Sequence, residues 1–135
     1  MSRPGFIFGD VHAGLAYAAC GDAAALDALR ESLRGLAAKG HATAGTVALP
    51  LIEGAAAFAA GDYARALDHL ESVDADMHRM GGSHAQWELF EETMVVCQLR
   101  LGRRAEAARL LRRRLARRPS PRDARWLADA EVARA

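Results

Sequence analysis

Three glycines constrain this chain more than any other feature: Gly21, Gly61 and Gly102 lie 40 and 41 residues apart. Each is the centre of a segment of the same shape, YAACGDAAALDAL from Tyr17, FAAGDYARALDHL from Phe58 and LRLGRRAEAARLL from Leu99. In each segment a run of small and apolar residues stops at the glycine. Small residues followed by leucine then start another run. Glycine just past the last apolar position is the usual helix stop, because the chain turns left-handed there and a Cβ is unwelcome. A beat of this length describes stacked helical hairpins, since one hairpin cannot bury its apolar face alone and must lean on the next.

The rest of the chain fits this frame. Asp10 to Cys20 reads as a first helix, and Asp22 caps a second that runs to Lys39 and stops at Gly40. Leu26, Leu29, Leu33 and Leu36 make one apolar stripe on that second helix. A third helix is expected over 44–60, with Pro50 kinking it or starting a new segment, because the ring removes a backbone donor. A fourth runs from Asp62 to about Met80, a fifth from Ser83 to Leu101, and a sixth from Arg103 to Arg118, ended by Pro119. Ser120 or Asp123 opens a short seventh carrying Trp126 and Leu127. No strand pattern occurs. The expected fold is all-α, about six or seven helices in stacked antiparallel hairpins, an α-solenoid filling 1–135 as one domain. The hairpins fall at about 10–39, 43–80 and 83–118, with a terminal helix at about 120–133. Alanine dominates the apolar residues, and it favours helices because it loses no side-chain entropy on forming one.

The order of motifs also resembles a known family. FGDVHAGLAYAACGD, ALPLIEGAAAFAAGDYARAL, GGSHAQWELFEET and LLRRRLARRPSP together are similar to the carboxy-terminal portion of the tetratricopeptide repeat protein 38 family. The similarity spans nearly the whole chain, and GGSHAQ is its most specific element. Gly61-Asp62-Tyr63 with Ala66, Leu70 and Val73 fits the turn and second helix of a tetratricopeptide repeat. Family members are usually longer, with more hairpins ahead of this region, and Trp87 stands where the family is expected to carry arginine. The resemblance implies a helical-repeat fold and no established reaction.

Candidate chemistry is sparse. The first ten residues lack the apolar stretch of a signal peptide, and 43–60 is too interrupted to span a membrane, so a cytoplasmic location is expected. Cys20 and Cys97 fall inside helical patterns and read as buried thiols. The five histidines lack the i, i+4 pairing or supporting cysteines of a zinc site, so neither metal nor cofactor is expected. GGSHAQ is no nucleophile elbow, which requires Gly-x-Ser-x-Gly after a strand. It reads as a stop and a start: Gly81 and Gly82 turn the chain, and Ser83 with Gln86 forms a capping box. His84 is not explained by capping. With His12 also near a hairpin start, a polar cluster of Asp10, His12, Ser83 and His84 is the candidate ligand or catalytic site.

Charge is divided unevenly. Residues 1–99 hold six basic and thirteen acidic side chains, a balance of −7, whereas 100–135 hold twelve and four, a balance of +8. From Arg100 to Arg125 there are eleven arginines against Glu106 and Asp123. On the sixth helix Ala108, Leu111 and Leu115 are expected inward, and Arg109, Arg112, Arg113 and Arg117 on another face, with Arg114 towards a flank. That face is either solvated, paired with the acidic front of the chain, or a docking site for an acidic protein or a second copy. Nucleic acid is disfavoured, because no aromatics are interleaved and the net charge is only +1. Trp87, Glu88, Glu91 and Glu92 are expected on the exposed side of the fifth helix. The chain is therefore expected to be a non-catalytic scaffold that binds a protein partner or itself as a homodimer. The alternative is a ligand binder or enzyme built on Asp10, His12 and His84.

Overall fold

The computed structural model describes residues 6–132, so the first five residues and the expected end of the terminal helix at 133 lie outside the described residues. The fold is all-α, with seven α-helices and no strand among those residues. The helices are α1 (Ile7–Cys20), α2 (Ala23–Ala38), α3 (Leu49–Ala59), α4 (Tyr63–Val73), α5 (His84–Arg100), α6 (Arg104–Arg117) and α7 (Pro121–Glu131).

The glycine beat is a repeated piece of backbone. Gly21, Gly61 and Gly102 have φ of 71°, 76° and 74°. Each donates its N–H to the carbonyl three residues back (Ala18, Phe58, Leu99). The following residue donates five back, to Tyr17, Ala57 and Gln98. This paired closure satisfies the last carbonyls of one helix while the chain reverses into the next. Asp22 and Asp62 then cap the second helices of the first two hairpins, accepting from the N–H of Ala25 and Arg65. Arg103 holds the equivalent place in the third hairpin without a side-chain cap.

Consecutive helices pair as α1/α2, α3/α4 and α5/α6; α1 also packs on α3, α4 on α5, and α7 on α6. Two glycines set the closeness of this packing. A Cβ on Gly14 would stand 2.6 Å from Ile52 Cγ1, and one on Gly54 would stand 2.8 Å from two Leu70 side-chain carbons. The shared core includes Leu33, Leu51, Ile52, Leu67, Leu70, Phe90 and Leu111, all fully buried. Arg30 of α2 joins the second hairpin through a forked pair with Glu53 of α3, at 2.6 and 3.0 Å.

Two helices differ from their expected form. Pro50 starts a new segment: α3 has it in the first turn, and the preceding turn Ala44–Ala48 is π-helical. There the Ala48 N–H reaches back five residues to the Thr43 carbonyl. A widened turn of this kind takes up the mismatch at the point where proline cannot donate. The fourth helix stops at Val73, and Asp74–Met80 continues as 3₁₀ helix. Its three-residue period puts Met77 and Met80 on one inward side, both buried. Cys20 corrects its expected burial. At the last residue of α1, where the chain turns outward at Gly21, it is exposed, whereas Cys97 is buried.

Candidate functional site

The GGSHAQ turn sits where α1, the 3₁₀ segment and α5 meet. Gly81 and Gly82 both have positive φ, 86° and 82°. A Cβ on Gly82 would lie 2.5 Å from both the Phe8 ring and Gln86 Oε1, so the turn packs directly on the first turn of α1. Gln86 Oε1 accepts from the Ser83 backbone N–H at 2.7 Å, which is the glutamine's half of a capping box. Trp87 folds back over the turn and donates its indole N–H to the Gly81 carbonyl at 2.7 Å.

The members of the expected polar cluster lie at neighbouring helix starts, but the two imidazoles are engaged separately. His12 donates through Nδ1 to the Phe8 carbonyl at 2.7 Å and rests against the Phe8 ring, centroids 4.2 Å apart. His84 is exposed, with its ring edge-on to Trp87 at 4.5 Å. Among the described residues no hydrogen bond or ring contact joins His12 to His84. Asp10 is buried in α1, and Ser83 is exposed at the turn.

The arginine face of α6 is largely engaged within the molecule. Arg117 makes a forked pair with Glu91, at 3.0 and 2.5 Å. Arg113 reaches both carboxylate oxygens of Asp74, at 3.1 and 3.0 Å. Arg112 pairs with Glu131, Arg118 with Glu88 and Arg122 with Glu92. Of the four arginines expected on that face, only Arg109 has no such partner among the described residues. Glu91 corrects its expected exposure: it is buried, 6 % exposed, beneath Arg117 and Arg114. Glu88 and Trp87 are half-buried.

Arg114 is the largest departure from expectation. It lies not on a flank of α6 but inside the protein, 3 % exposed, while Leu115 is only half-buried. Its Nε donates to Asp123 Oδ2 at 2.7 Å, Nη1 to the Glu88 carbonyl at 3.0 Å and Glu91 at 3.3 Å, and Nη2 to Glu92 at 3.1 Å. One guanidinium therefore ties α5, α6 and α7 together. Burial acts to lower its pKa, but the Asp123 hydrogen bond and the charges of Asp123, Glu91 and Glu92 outweigh this and raise it. A signal was present in the sequence: Ala107, Leu110, Leu111 and Arg114 share one face of α6, so an arginine occupies a core position.

Two open clefts flank this network. The outer one, about 530 Å³, is lined by His84 and Ala85 of α5 and by Glu88, Arg117 and Arg118. It adjoins a further recess of about 350 Å³ that shares His84 and Arg117 and reaches Met77, His78 and Trp87. The second cleft, about 460 Å³, lies between α4, α5 and α6 and includes Glu71, Asp74, Gln98, Glu106, Arg109 and Arg113. Sequence reasoning passed over Gln98, although it closes the buried α5 stripe Glu91, Met94, Val95, Gln98.

Among the described residues no group of three or more His, Cys, Asp or Glu side chains could hold a metal ion, and no helix is long and apolar enough to cross a membrane. No protein-family model, curated protein or solved structure matches the chain.

Proposed function

We propose that this chain is a non-catalytic helical-repeat scaffold that binds a protein segment along the outer cleft at the start of α5. The observation that carries the reading is Leu89, 46 % exposed and one turn beyond exposed Ala85 on the same side of α5. Apolar side chains beside an open groove are the kind of surface that docks an apolar anchor of another protein. The arginines at the rim, Arg117 and Arg118, are already paired with Glu91 and Glu88, which supports a protein partner or a second copy over nucleic acid phosphates. The resemblance to the carboxy-terminal portion of the tetratricopeptide repeat protein 38 family supports the same reading, as does the three-hairpin stack. A cytoplasmic setting accords with it. A pocket gathered on Asp10, His12 and His84 has less support, because each imidazole is engaged within its own helix.

The test is site-specific photocrosslinking in the native cell from position 85, with position 28 on α2 as a control on a different exposed face. The scaffold reading expects a discrete adduct from 85 only, lost on Leu89→Glu while the fold is kept by circular dichroism. An adduct at the mass of two chains identifies self-association. Equal adducts from both positions, or none from 85, reject the assignment of this groove.

A further inference from the structure

The three glycine turns follow one another along one edge of the array. A recess of about 250 Å³ sets Tyr17 and Leu26 of the first hairpin against Ala56, Ala59 and Ala60 of the second. Arg100, at the end of α5, lies over the Tyr63 ring at 5.7 Å, so the third turn stands beside the second. Apolar surface takes two shapes on this edge. The recess between the first two turns is a hole lined only by small and apolar residues. The third turn is a knob, with Leu101 38 % exposed just before Gly102. Charge divides in the same way. Asp22 and Asp62, beside the hole, are exposed; each caps its helix through Oδ1 alone and makes no ion pair among the described residues. Beside the knob stand Arg100, Arg103 and Arg104, with Glu106 the one nearby acid, paired to Arg103 at 3.7 Å. Arg100 and Arg104 make no ion pair among the described residues.

We infer that this edge joins two copies of the chain in an antiparallel, two-fold symmetric dimer. Knob and hole belong to different turns, so Leu101 cannot fill the recess of its own chain. Two copies laid edge to edge in opposite directions fill both recesses at once, each with the other's Leu101. One two-fold axis near the second turn generates both contacts, as an isologous interface requires. The same arrangement sets the arginines around each Leu101 beside Asp22 and Asp62 of the second copy. A parallel pairing would place the arginine turns against each other and leave both recesses empty, so charge selects the antiparallel form. The contact is small, and its strength belongs to a reversible dimer with a dissociation constant on the order of 10–100 µM. This edge is separate from the groove at Ala85 and Leu89 and does not depend on that groove's function.

The test is sedimentation equilibrium of the full chain from about 1 to 300 µM. A monomer–dimer equilibrium is expected, several-fold weaker at about 0.5 M salt than at about 0.05 M. Leu101→Asp spoils the knob and Ala59→Arg fills the hole; both positions are exposed, and each variant alone should dimerise at least about tenfold more weakly. An equimolar mixture of the two variants is the decisive arm. A mixed dimer keeps one parental contact, Leu101 in an unaltered recess, and in the other sets the new aspartate against the new arginine. The mixture should therefore associate within several-fold of the parent. Recovery on mixing also shows that both variants are folded, and Leu89→Glu should leave the equilibrium unchanged. A parent monomeric at about 300 µM, parent-like dimers of Leu101→Asp, no recovery on mixing, or a dimer lost in Leu89→Glu overturns the inference.

Discussion

Replacing Arg114 with methionine should destabilise the protein far more than any other single arginine change. The side chain removed is 3 % exposed and serves three carboxylates and the Glu88 carbonyl. Its partners are not equally affected. Glu91 keeps the forked pair with Arg117, and Glu92 keeps Arg122. Among the described residues Asp123, 2 % exposed, keeps only Arg122 Nε at 3.7 Å, and its Oδ1 already has no hydrogen bond. The loss is therefore concentrated on one buried carboxylate, and removing one member of such a pair costs about 3–5 kcal/mol. In a domain of this size that corresponds to a fall in Tm of roughly 10–20 °C. Urea and thermal unfolding followed by far-ultraviolet circular dichroism measure the cost, and Trp126 fluorescence reports whether α7 leaves α6 first. The decisive comparison is the double variant Arg114→Met/Asp123→Leu. Replacing a whole buried pair by apolar side chains is often neutral, so the double variant should recover more than half of the loss. Arg114→Lys should fall between, because an ammonium cannot present the fork that reaches both α5 and α7. A single variant within about 1 kcal/mol of the parent, or a double variant no better than the single, would refute this account of the network.

Three further outcomes follow from local geometry. Gly82→Ala should cost about 2–4 kcal/mol, because positive φ and overlap with Phe8 and Gln86 act together; Gly21→Ala, with nothing within 4 Å, should cost only about 1 kcal/mol. Equal midpoint shifts in denaturant would show that the Phe8 contact is unimportant. Gly35→Ala, inside α2 with open space around it, should stabilise by about 0.5–1 kcal/mol in the same assay, and any loss would contradict the placement of that helix face. Burial pushes the Cys97 thiol up from 9.0 to about 11. The fold thus favours the protonated form, and its contribution is complete below pH 9.0 and disappears as pH rises towards 11. Native protein should accordingly show one fast-reacting thiol, Cys20, and one that reacts only on unfolding. Equal rates for the two would contradict the burial of Cys97.

The all-α architecture was legible because its signals are local. Glycine stops, aspartate caps and leucine stripes each concern a few neighbouring residues, and α2, α5, α6 and α7 fall within a few residues of their expected limits. The change from α-helix to 3₁₀ helix at Asp74 was not legible, since it follows from burying both Met77 and Met80 against other hairpins. The site was less readable still. The acidic front and arginine-rich rear were visible as a charge split, and pairing between them was one of the readings left open. Which arginine goes inside depends on the rotation of α6 against α5 and α7, a tertiary property. Asp123 was visible only as a helix opener, yet Ser120 takes that role and frees Asp123 to meet Arg114. The helical spacing of Gln98 from Glu91, Met94 and Val95 placed it on the inner side of α5, but its lack of a hydrogen-bond partner exists only once its surroundings are packed.

The Arg114 junction also bears on how such a chain can evolve. Repeat arrays lengthen and shorten by whole units because neighbouring interfaces are interchangeable. The first two hairpins meet largely through leucine, isoleucine and small residues, which many similar surfaces could replace. The third hairpin and α7 are matched instead by a cation with carboxylates on two other helices. A hairpin inserted between α6 and α7 would strand that cation unless the newcomer brought its own equivalent of Asp123. Duplication is thereby tolerated in one part of the array and selected against in another, and lineages carrying this junction should vary in length on its amino-terminal side.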